Sequence, residues 1–258
     1  MKKLLVLLFC VFMSMAVAGC GGSDKSAASD AAAKVLKVGT DANFPPFEFY
    51  QEQTKQHTGF DVELVTALAK QMGYDRVEFV NVDFKDILTG LNEKKYDVAI
   101  AGMSITPERE HVAEFTEPYV EDGYKVIVNK NSKLSDDFAG LKGKTVAAEE
   151  GSYALDMVKN QSQAMTIIPV HDTEAGIKLV ADGKADALVA SKVAASFFMT
   201  HNYDDKVKFA GDKVLYADKI GMAVARGNQD LEKKLNEALK EVKRSGEYNQ
   251  IYSSYFGK

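Results

Sequence analysis

From Val35 onward, short apolar runs typical of β-strands alternate with segments whose apolar residues recur at helical spacing. The strand-like runs lie at 35–38, 77–82, 97–101, 124–128, 144–147, 166–170, 185–189 and 219–225. The helical segments lie at 60–72, 85–95, 106–114, 152–160 and 173–181, followed by a long C-terminal region. Because such alternation builds parallel or mixed sheets flanked by helices, the sequence predicts an α/β fold. The pattern runs through two cycles of similar size, which indicates two lobes with a ligand site between them.

The C-terminal region carries two stripes of apolar side chains at helical spacing. The first stripe consists of Leu231, Leu235, Ala238, Leu239 and Val242. The second, which is rich in tyrosine, consists of Tyr248, Ile251, Tyr252 and Tyr255. We expect the aromatic stripe to pack into the hydrophobic core; the alternative is a platform on which a ligand stacks.

The first twenty residues have the pattern of a secretory signal peptide. Lys2 and Lys3 precede an apolar run from Leu4 to Ala18, and small residues then lead to Cys20 in the sequence Val-Ala-Gly-Cys. The apolar run of about fifteen residues is shorter than the roughly twenty that a membrane-spanning helix needs. Its end matches the bacterial lipobox, where cleavage leaves a cysteine that is acylated. We therefore predict a signal peptide at 1–19 and a lipid on Cys20. The alternatives are an incidental cysteine and a true transmembrane helix.

Residues 20–33 predict a flexible, lipid-anchored tether, since Gly, Ser, Ala and Asp dominate after the cysteine. Attachment by more than one acyl chain gives the stable anchoring that a single chain does not. The protein is accordingly expected outside the cytoplasm, held to the cell membrane through Cys20, in the periplasm or on the outer cell surface.

Composition excludes several classes of site. Removing 1–19 also removes Cys10, so an acylated Cys20 leaves no thiol for a disulfide or a thiolate metal site. Loss of two lysines changes the formal net charge from -5 to -7, which disfavours nucleic acid as a partner. The four histidines are scattered without ligand spacing, so neither a metal nor another cofactor is expected.

Three segments carry the candidate chemistry. In 39–47, two prolines stiffen a loop that presents Asp41 and Phe44 directly after a strand. Phe84 follows the next strand in the same way. In 101–109, a threonine N-cap and a proline at the first helical position precede Arg109, whose planar fork matches a carboxylate. The third segment is a candidate carboxylate clamp; the alternative is that Arg109 is a structural or surface residue.

Five motifs occur in one order: Phe-Pro-Pro-Phe at 44–47, Gly-Phe-Asp-Val-Glu at 59–63, Tyr-Asp before Ala-Gly-Met at 96–103, Thr-Pro-Glu-Arg at 106–109, and Phe-Thr-Glu-Pro-Tyr at 115–119. With Gly-Glu-Tyr-Asn-Gln-Ile-Tyr at 246–252, they resemble the polar amino-acid-binding proteins of ABC importers, extracellular solute-binding protein family 3. The resemblance implies a type II periplasmic-binding-protein fold of two mixed sheets flanked by helices. Lobe 1 would comprise 34–121 and 218–258, lobe 2 would comprise 126–212, and two strands would form the hinge. It also implies a monomeric, non-enzymatic receptor that closes over an amino acid and delivers it to a membrane permease.

Site residues follow from the same resemblance, position by position. Arg109 and the backbone of Ser104 match groups that hold the ligand's α-carboxylate, and the carbonyl of Gly102 matches an acceptor for its α-ammonium group. Phe44 and Phe84 match aromatic residues that flank the ligand side chain, while Asp41 matches the residue that contacts its far end. A buried zwitterion needs a partner for each charge, which makes this arrangement physically coherent.

The chain departs from the family in its second lobe. Ser191 stands where an aspartate usually pairs with the α-ammonium group, so either another carboxylate replaces it or the ligand is not an ordinary α-amino acid. Glu149 and Glu150, just before Ser152 at a predicted helix start, are the candidate replacements. If they face the cleft, the pocket is acidic and favours a cationic amino acid. The alternative is that both glutamates are helix-start residues that are favoured there by the helix dipole.

A secreted dehydratase of prephenate or arogenate on the same fold is the alternative function, since such substrates need no ammonium partner. A glutamate at 149 or 150 would then act as general acid or base.

Overall fold

The computed structural model describes residues 33–161 and 165–256. The predicted signal peptide, Cys20 and all of the predicted tether except Ala33 lie outside the described residues. The strands are β1 (Val35–Thr40), β2 (Asn43–Phe44), β3 (Glu48–Gln51), β4 (Gln56–Thr58), β5 (Arg76–Asn81), β6 (Val98–Ala99), β7 (Ala113–Phe115), β8 (Val120–Asn129), β9 (Thr145–Glu149), β10 (Thr166–Val170), β11 (Ala187–Ser191), β12 (Val207–Phe209), β13 (Tyr216–Ile220) and β14 (Ala223–Ala225). The helices are α1 (Phe60–Gln71), α2 (Ile87–Asn92), α3 (Pro107–Glu110), α4 (Tyr153–Asn160), α5 (Thr173–Ala181), α6 (Lys192–Phe198), α7 (Gln229–Ser245) and α8 (Glu247–Phe256). A 3-10 turn at Phe84–Asp86 precedes α2, and a π-helical turn at Met199–Tyr203 follows α6.

Two mixed sheets organise the chain, as the alternation of strands and helices predicts. The first has the order β5-β1-β6-β14-β7, with β1 parallel to both of its neighbours and β14 antiparallel to its own. The second has the order β10-β9-β11-β8-β12, with β13 also paired to β8. We call the first sheet with α1, α2, α3, α7 and α8 the first half, and the second sheet with α4, α5 and α6 the second half. A small three-stranded sheet, β2-β3-β4, was not predicted.

Two antiparallel strands, β8 and β13, link the halves and are called the linking strands below. The beginning of β8 pairs with β13, from Val120 opposite Ile220 to Tyr124 opposite Tyr216. The remainder of β8 pairs with β11 and β12 inside the second sheet. After β13 the chain enters the first sheet as β14, so the single strand predicted over 219–225 is wrong. It is divided at Gly221, whose added Cβ would lie 2.8 Å from the side chain of Ile105.

Both C-terminal stripes pack into the core of the first half. Leu235 and Leu239 of α7 are buried in one cluster with Leu64 and Leu68 of α1, and each such side chain contributes about 1.5–3 kcal/mol on burial. The aromatic stripe of α8 packs on the same cluster, which confirms its expected core role. The two helices are separated at Gly246, which has a φ of 85°.

The second half buries apolar side chains on both faces of its sheet, under α4 on one face and under α5 and α6 on the other. Helix α6 was not predicted, and the helix predicted over 106–114 ends at Glu110 because Ala113–Phe115 pairs with β14 as a strand. Among the described residues, no helix has the length and apolar character needed to cross a membrane.

Candidate functional site

A cavity lies between the two halves and the linking strands, with about 540 Å³ of empty space when the part open to solvent is included. Its polar and aromatic lining residues are Asp41, Phe44, Phe84, Asp122, Tyr124, Glu149, Ser152, Thr173, Ser191 and Asp218, and Gly102 contributes backbone. Of the nine residues predicted to bind ligand, Ser104 and Arg109 are the two that lie beside this lining rather than in it.

Asp41 follows β1 and is almost completely buried, at 4% exposure. Its Oδ2 accepts a hydrogen bond of 2.8 Å from the backbone N–H of Phe84. Burial raises the pKa of the Asp41 carboxyl to about 6, although the bond from Phe84 opposes this shift. The carboxylate thus both fixes the turn that carries Phe84 and presents charge to the cavity.

Gly102 lies where only glycine fits. It has a φ of +51°, and an added Cβ would lie 2.6 Å from the ring of Phe44. Its N–H donates to Asp61 Oδ2 at 2.8 Å, and the hydroxyl of Tyr119 donates to the same oxygen at 2.8 Å. A buried carboxylate therefore holds the backbone around Gly102 against the aromatic wall of the cavity.

Arg109 spans the gap between the two halves. Its Nη1 donates to the carbonyl of Ser104 at 2.8 Å, and its Nη2 donates to the carbonyl of Gly151, in the second half, at 2.9 Å. Its Cζ lies 5.3 Å from the centre of the Phe84 ring, which lines the cavity. Burial lowers the pKa of the guanidinium from its usual value. Because a guanidinium has five N–H donors, these two bonds leave others for a ligand at the cavity edge.

The two glutamates of the second half occupy different positions. Glu149 is the last residue of β9 and lines the cavity, where its Oε2 accepts a bond of 3.1 Å from the hydroxyl of Thr173. Burial raises the pKa of Glu149 to about 8, and the nearby Asp41 carboxylate also raises it. Glu150 is exposed and lies 3.4 Å from the ammonium group of Lys85 at the rim.

Ser152 and Ser191 begin helices. The hydroxyl of Ser152 accepts from the N–H of Leu155 at 3.2 Å at the start of α4, and that of Ser191 accepts from the N–H of Ala194 at 3.1 Å at the start of α6. The Ser191 hydroxyl also donates to Asp122 Oδ2. Both serines line the cavity while serving as N-caps.

Asp122 and Asp218, on the linking strands, are the cavity carboxylates that sequence reasoning missed. Burial raises the pKa of both groups, that of Asp218 to about 6. The sequence did contain a pattern that could have identified Asp122. Side chains alternate along a strand, so Asp122 must share a face with Tyr124. An aspartate on the inner face of an apolar strand is unusual because burying a carboxylate is costly.

Four carboxylates, those of Asp41, Asp122, Glu149 and Asp218, therefore line one cavity with a guanidinium at its edge. Such a site can hold a carboxylate near the arginine and one or more organic cations near the acids. Within 33–161 and 165–256, no group of three His, Cys, Asp or Glu side chains is arranged to hold a metal ion.

Comparisons with known proteins agree with this architecture. Residues 36–258 match the family model described as bacterial extracellular solute-binding proteins, family 3. The chain is 33% identical to the arginine-binding extracellular protein ArtP of Bacillus subtilis over 99% of its own length and 98% of the relative's. It is 30% identical to a probable histidine-binding protein of Neisseria gonorrhoeae over 95% of its own length and 92% of the relative's.

A solved structure of an ancestral arginine-binding protein bound to arginine superposes with a TM-score of 0.81, at 36% identity, covering 86% of this chain and 98% of the other. These relatives are binding proteins and not enzymes, and the type II periplasmic-binding-protein fold is shared with them. The chain belongs to the bacterial extracellular solute-binding proteins, family 3.

Proposed function

We propose that this protein captures a cationic α-amino acid between its two halves and delivers it to the permease of an amino-acid ABC importer. The observation that carries the choice of a cationic ligand is the excess of acid in the cavity, four carboxylates against one guanidinium. Each buried charge needs a partner, because an unpaired one costs several kcal/mol. A neutral or acidic side chain would leave at least two of these four carboxylates without one.

The predicted residues take the following roles. Arg109 and the backbone of Ser104 hold the α-carboxylate, and the carbonyl of Gly102 accepts from the α-ammonium group. Phe44 and Phe84 flank the aliphatic part of the side chain. Asp41, from the first half, and Glu149, from the second, receive its cationic end, and Ser152 and Ser191 line the site between them. Micromolar affinity is worth only about 8 kcal/mol, so loss of one charge partner would be decisive.

The relatives support the same ligand class. ArtP is named as an arginine-binding protein, and the ancestral protein was solved with arginine bound. The dehydratase alternative receives no such support, because the relatives named above are binding proteins.

The N-terminal sequence completes the proposal. A signal peptide at 1–19, a lipid on Cys20 and a tether to residue 33 would hold the monomeric binding protein near the permease in the cytoplasmic membrane.

Isothermal titration of the purified protein, after removal of any co-purified ligand, tests the proposal. L-arginine, L-lysine and L-ornithine are expected to bind more tightly than L-glutamine, and L-glutamate is expected not to bind. Tighter binding of L-glutamate or L-glutamine than of all three cationic amino acids would overturn the ligand class. Mass spectrometry of co-purified material identifies the natural ligand directly.

A further inference from the structure

Two aspartates face each other at the centre of the linking strands. Asp122 of β8 lies directly opposite Asp218 of β13 in the antiparallel register, and both line the cavity. Like charges directly opposite one another destabilise a strand pair. A cation bound between them would turn this repulsion into attraction.

The two carboxylates differ in how their oxygens are bonded. Both oxygens of Asp122 accept bonds, Oδ2 from the hydroxyl of Ser191 and Oδ1 from the N–H of Val193 at 3.3 Å. Asp218 is 3% exposed and its Oδ2 accepts from the hydroxyl of Ser104 at 2.7 Å. Its Oδ1 is buried without a hydrogen-bond partner among the described residues. Because a buried acceptor without a donor is costly, this oxygen indicates a donor supplied by a ligand.

Ser104 places this oxygen pair beside the arginine. Its carbonyl accepts from Arg109 Nη1 at 2.8 Å, while its hydroxyl donates to Asp218 and also bonds the hydroxyl of Tyr124 at 2.7 Å. One residue therefore contacts both a guanidinium and a buried carboxylate. An α-amino acid carries its carboxylate and ammonium groups on a single carbon. Its binding site therefore needs a cationic and an anionic group that lie equally close together.

We propose that Asp122 and Asp218 form the receptor for the α-ammonium group of the ligand, with the carbonyl of Gly102 as a further acceptor. This inference rests on the proposed function and assigns the partner that the uncharged Ser191 does not provide. Ser191 is then a positioning residue that orients Asp122, and Tyr124 and Ser104 orient Asp218. Asp41 and Glu149 then pair with the cationic end of the ligand's side chain.

Titration with matched ligands tests the assignment. L-arginine carries all three charged groups, 5-guanidinopentanoate lacks the α-ammonium group, and agmatine lacks the α-carboxylate. D218N and D122N keep side-chain shape while removing charge. Each should weaken L-arginine binding about 30-fold or more, as for loss of one member of a buried charge pair. The same substitutions should change the affinity for 5-guanidinopentanoate by less than about threefold, because that ligand has no ammonium group to lose.

D41N is the control variant, since it removes a cavity carboxylate assigned to the side chain. It should weaken L-arginine and 5-guanidinopentanoate by similar factors. Melting temperatures of the ligand-free variants exclude a purely structural effect: D122N and D218N should melt no lower than the wild type, because each removes a like-charge contact.

Charge exchange gives a second, independent readout. S191D places a carboxylate beside position 122, so D122N/S191D should recover L-arginine affinity at least tenfold relative to D122N. Equal losses for L-arginine and 5-guanidinopentanoate in D218N and D122N would overturn the ammonium receptor while leaving the proposed function intact. Failure of the wild type to bind L-arginine, L-lysine or L-ornithine would overturn both.

Discussion

Gly151, in the second half, lies against the turn of the first half that carries Phe84. Gly151 has a φ of +75°, and a Cβ added there would lie 2.8 Å from the Cα of Lys85 and 3.0 Å from its Cβ. The obstacle is backbone, so it cannot rotate away as a side chain would. The turn is itself fixed, because the N–H of Phe84 donates to Asp41 at 2.8 Å. G151A is therefore expected to keep the halves from reaching the arrangement seen here.

The magnitude follows from what the extra methyl group changes. Overpacking of this kind costs about 1–3 kcal/mol, and the contact exists only when the halves meet. Ligand binding should therefore weaken about 5- to 150-fold. A left-handed φ costs a non-glycine residue roughly 1–2 kcal/mol as well, but that cost is present in both the open and the closed protein. It lowers the melting temperature without changing the affinity.

Gly143 provides the matched control. Its φ is +74°, and nothing lies within 4 Å of an added Cβ. G143A and G151A should lose similar amounts of thermal stability in the ligand-free state, whereas only G151A should lose affinity for L-arginine in isothermal titration. Equal affinities for the two variants would refute the reasoning, because the contact with Lys85 would then play no part in binding.

Four further outcomes are expected. R109A should lower L-arginine affinity about 100-fold or more, since charge-assisted bonds contribute about 1.5–3 kcal/mol each. Scanning calorimetry should show little change in the stability of the ligand-free protein. A large loss of stability would mean that Arg109 is structural. Affinity for L-arginine should fall as the pH drops from 8 to 6, because burial raises the pKa of Glu149 to about 8 and that of Asp41 to about 6. A protonated acid does not pair with a cation. Isothermal titration in buffers of different ionisation enthalpy should therefore show proton release on binding, and E149Q should reduce this release. Burial raises the pKa of Asp61, inside the first half, to about 6, so the ligand-free protein holds more protons than the unfolded chain and its melting temperature should fall as the pH rises from 5 to 8; a rising melting temperature over that interval would contradict the burial of this acid. C20A should move the protein from the membrane fraction to the soluble fraction, and continued membrane association would contradict the lipid anchor.

Local patterns predicted most of the elements, and the errors occur where distant pairing decides. Strands such as β1 and β9 and helices such as α1 and α5 follow from apolar spacing within a few residues. The run 219–225 is uniformly strand-like, yet β13 pairs with β8 while β14 pairs with β6 and β7, so the run is divided between two sheets. Pairing of Ala113–Phe115 with β14 likewise converts the end of a predicted helix into β7.

The candidate site shows the same division. Asp41, Phe44 and Phe84 were predicted because each follows a strand-like run and matches a ligand-contacting position in the family that the sequence resembles. Asp122 and Asp218 were missed because their proximity depends on the register of two strands that are far apart in the chain. The departure at Ser191 predicted either another carboxylate or a ligand that is not an ordinary α-amino acid, and the position of the glutamates at 149 and 150 before a predicted helix made them the candidates rather than the linking strands.

The position of the two aspartates bears on the order of binding. Arg109 and Ser104 belong to the first half, and Asp122 and Asp218 lie on the strands that connect the halves. Under the assignments proposed above, both charges of the amino-acid group can therefore be paired before the second half closes over the ligand. The side-chain receptor is different, because Asp41 comes from the first half and Glu149 from the second. It is complete only on closure, so the cationic end of the side chain should determine how stable the closed state is, whereas the amino-acid group determines initial capture.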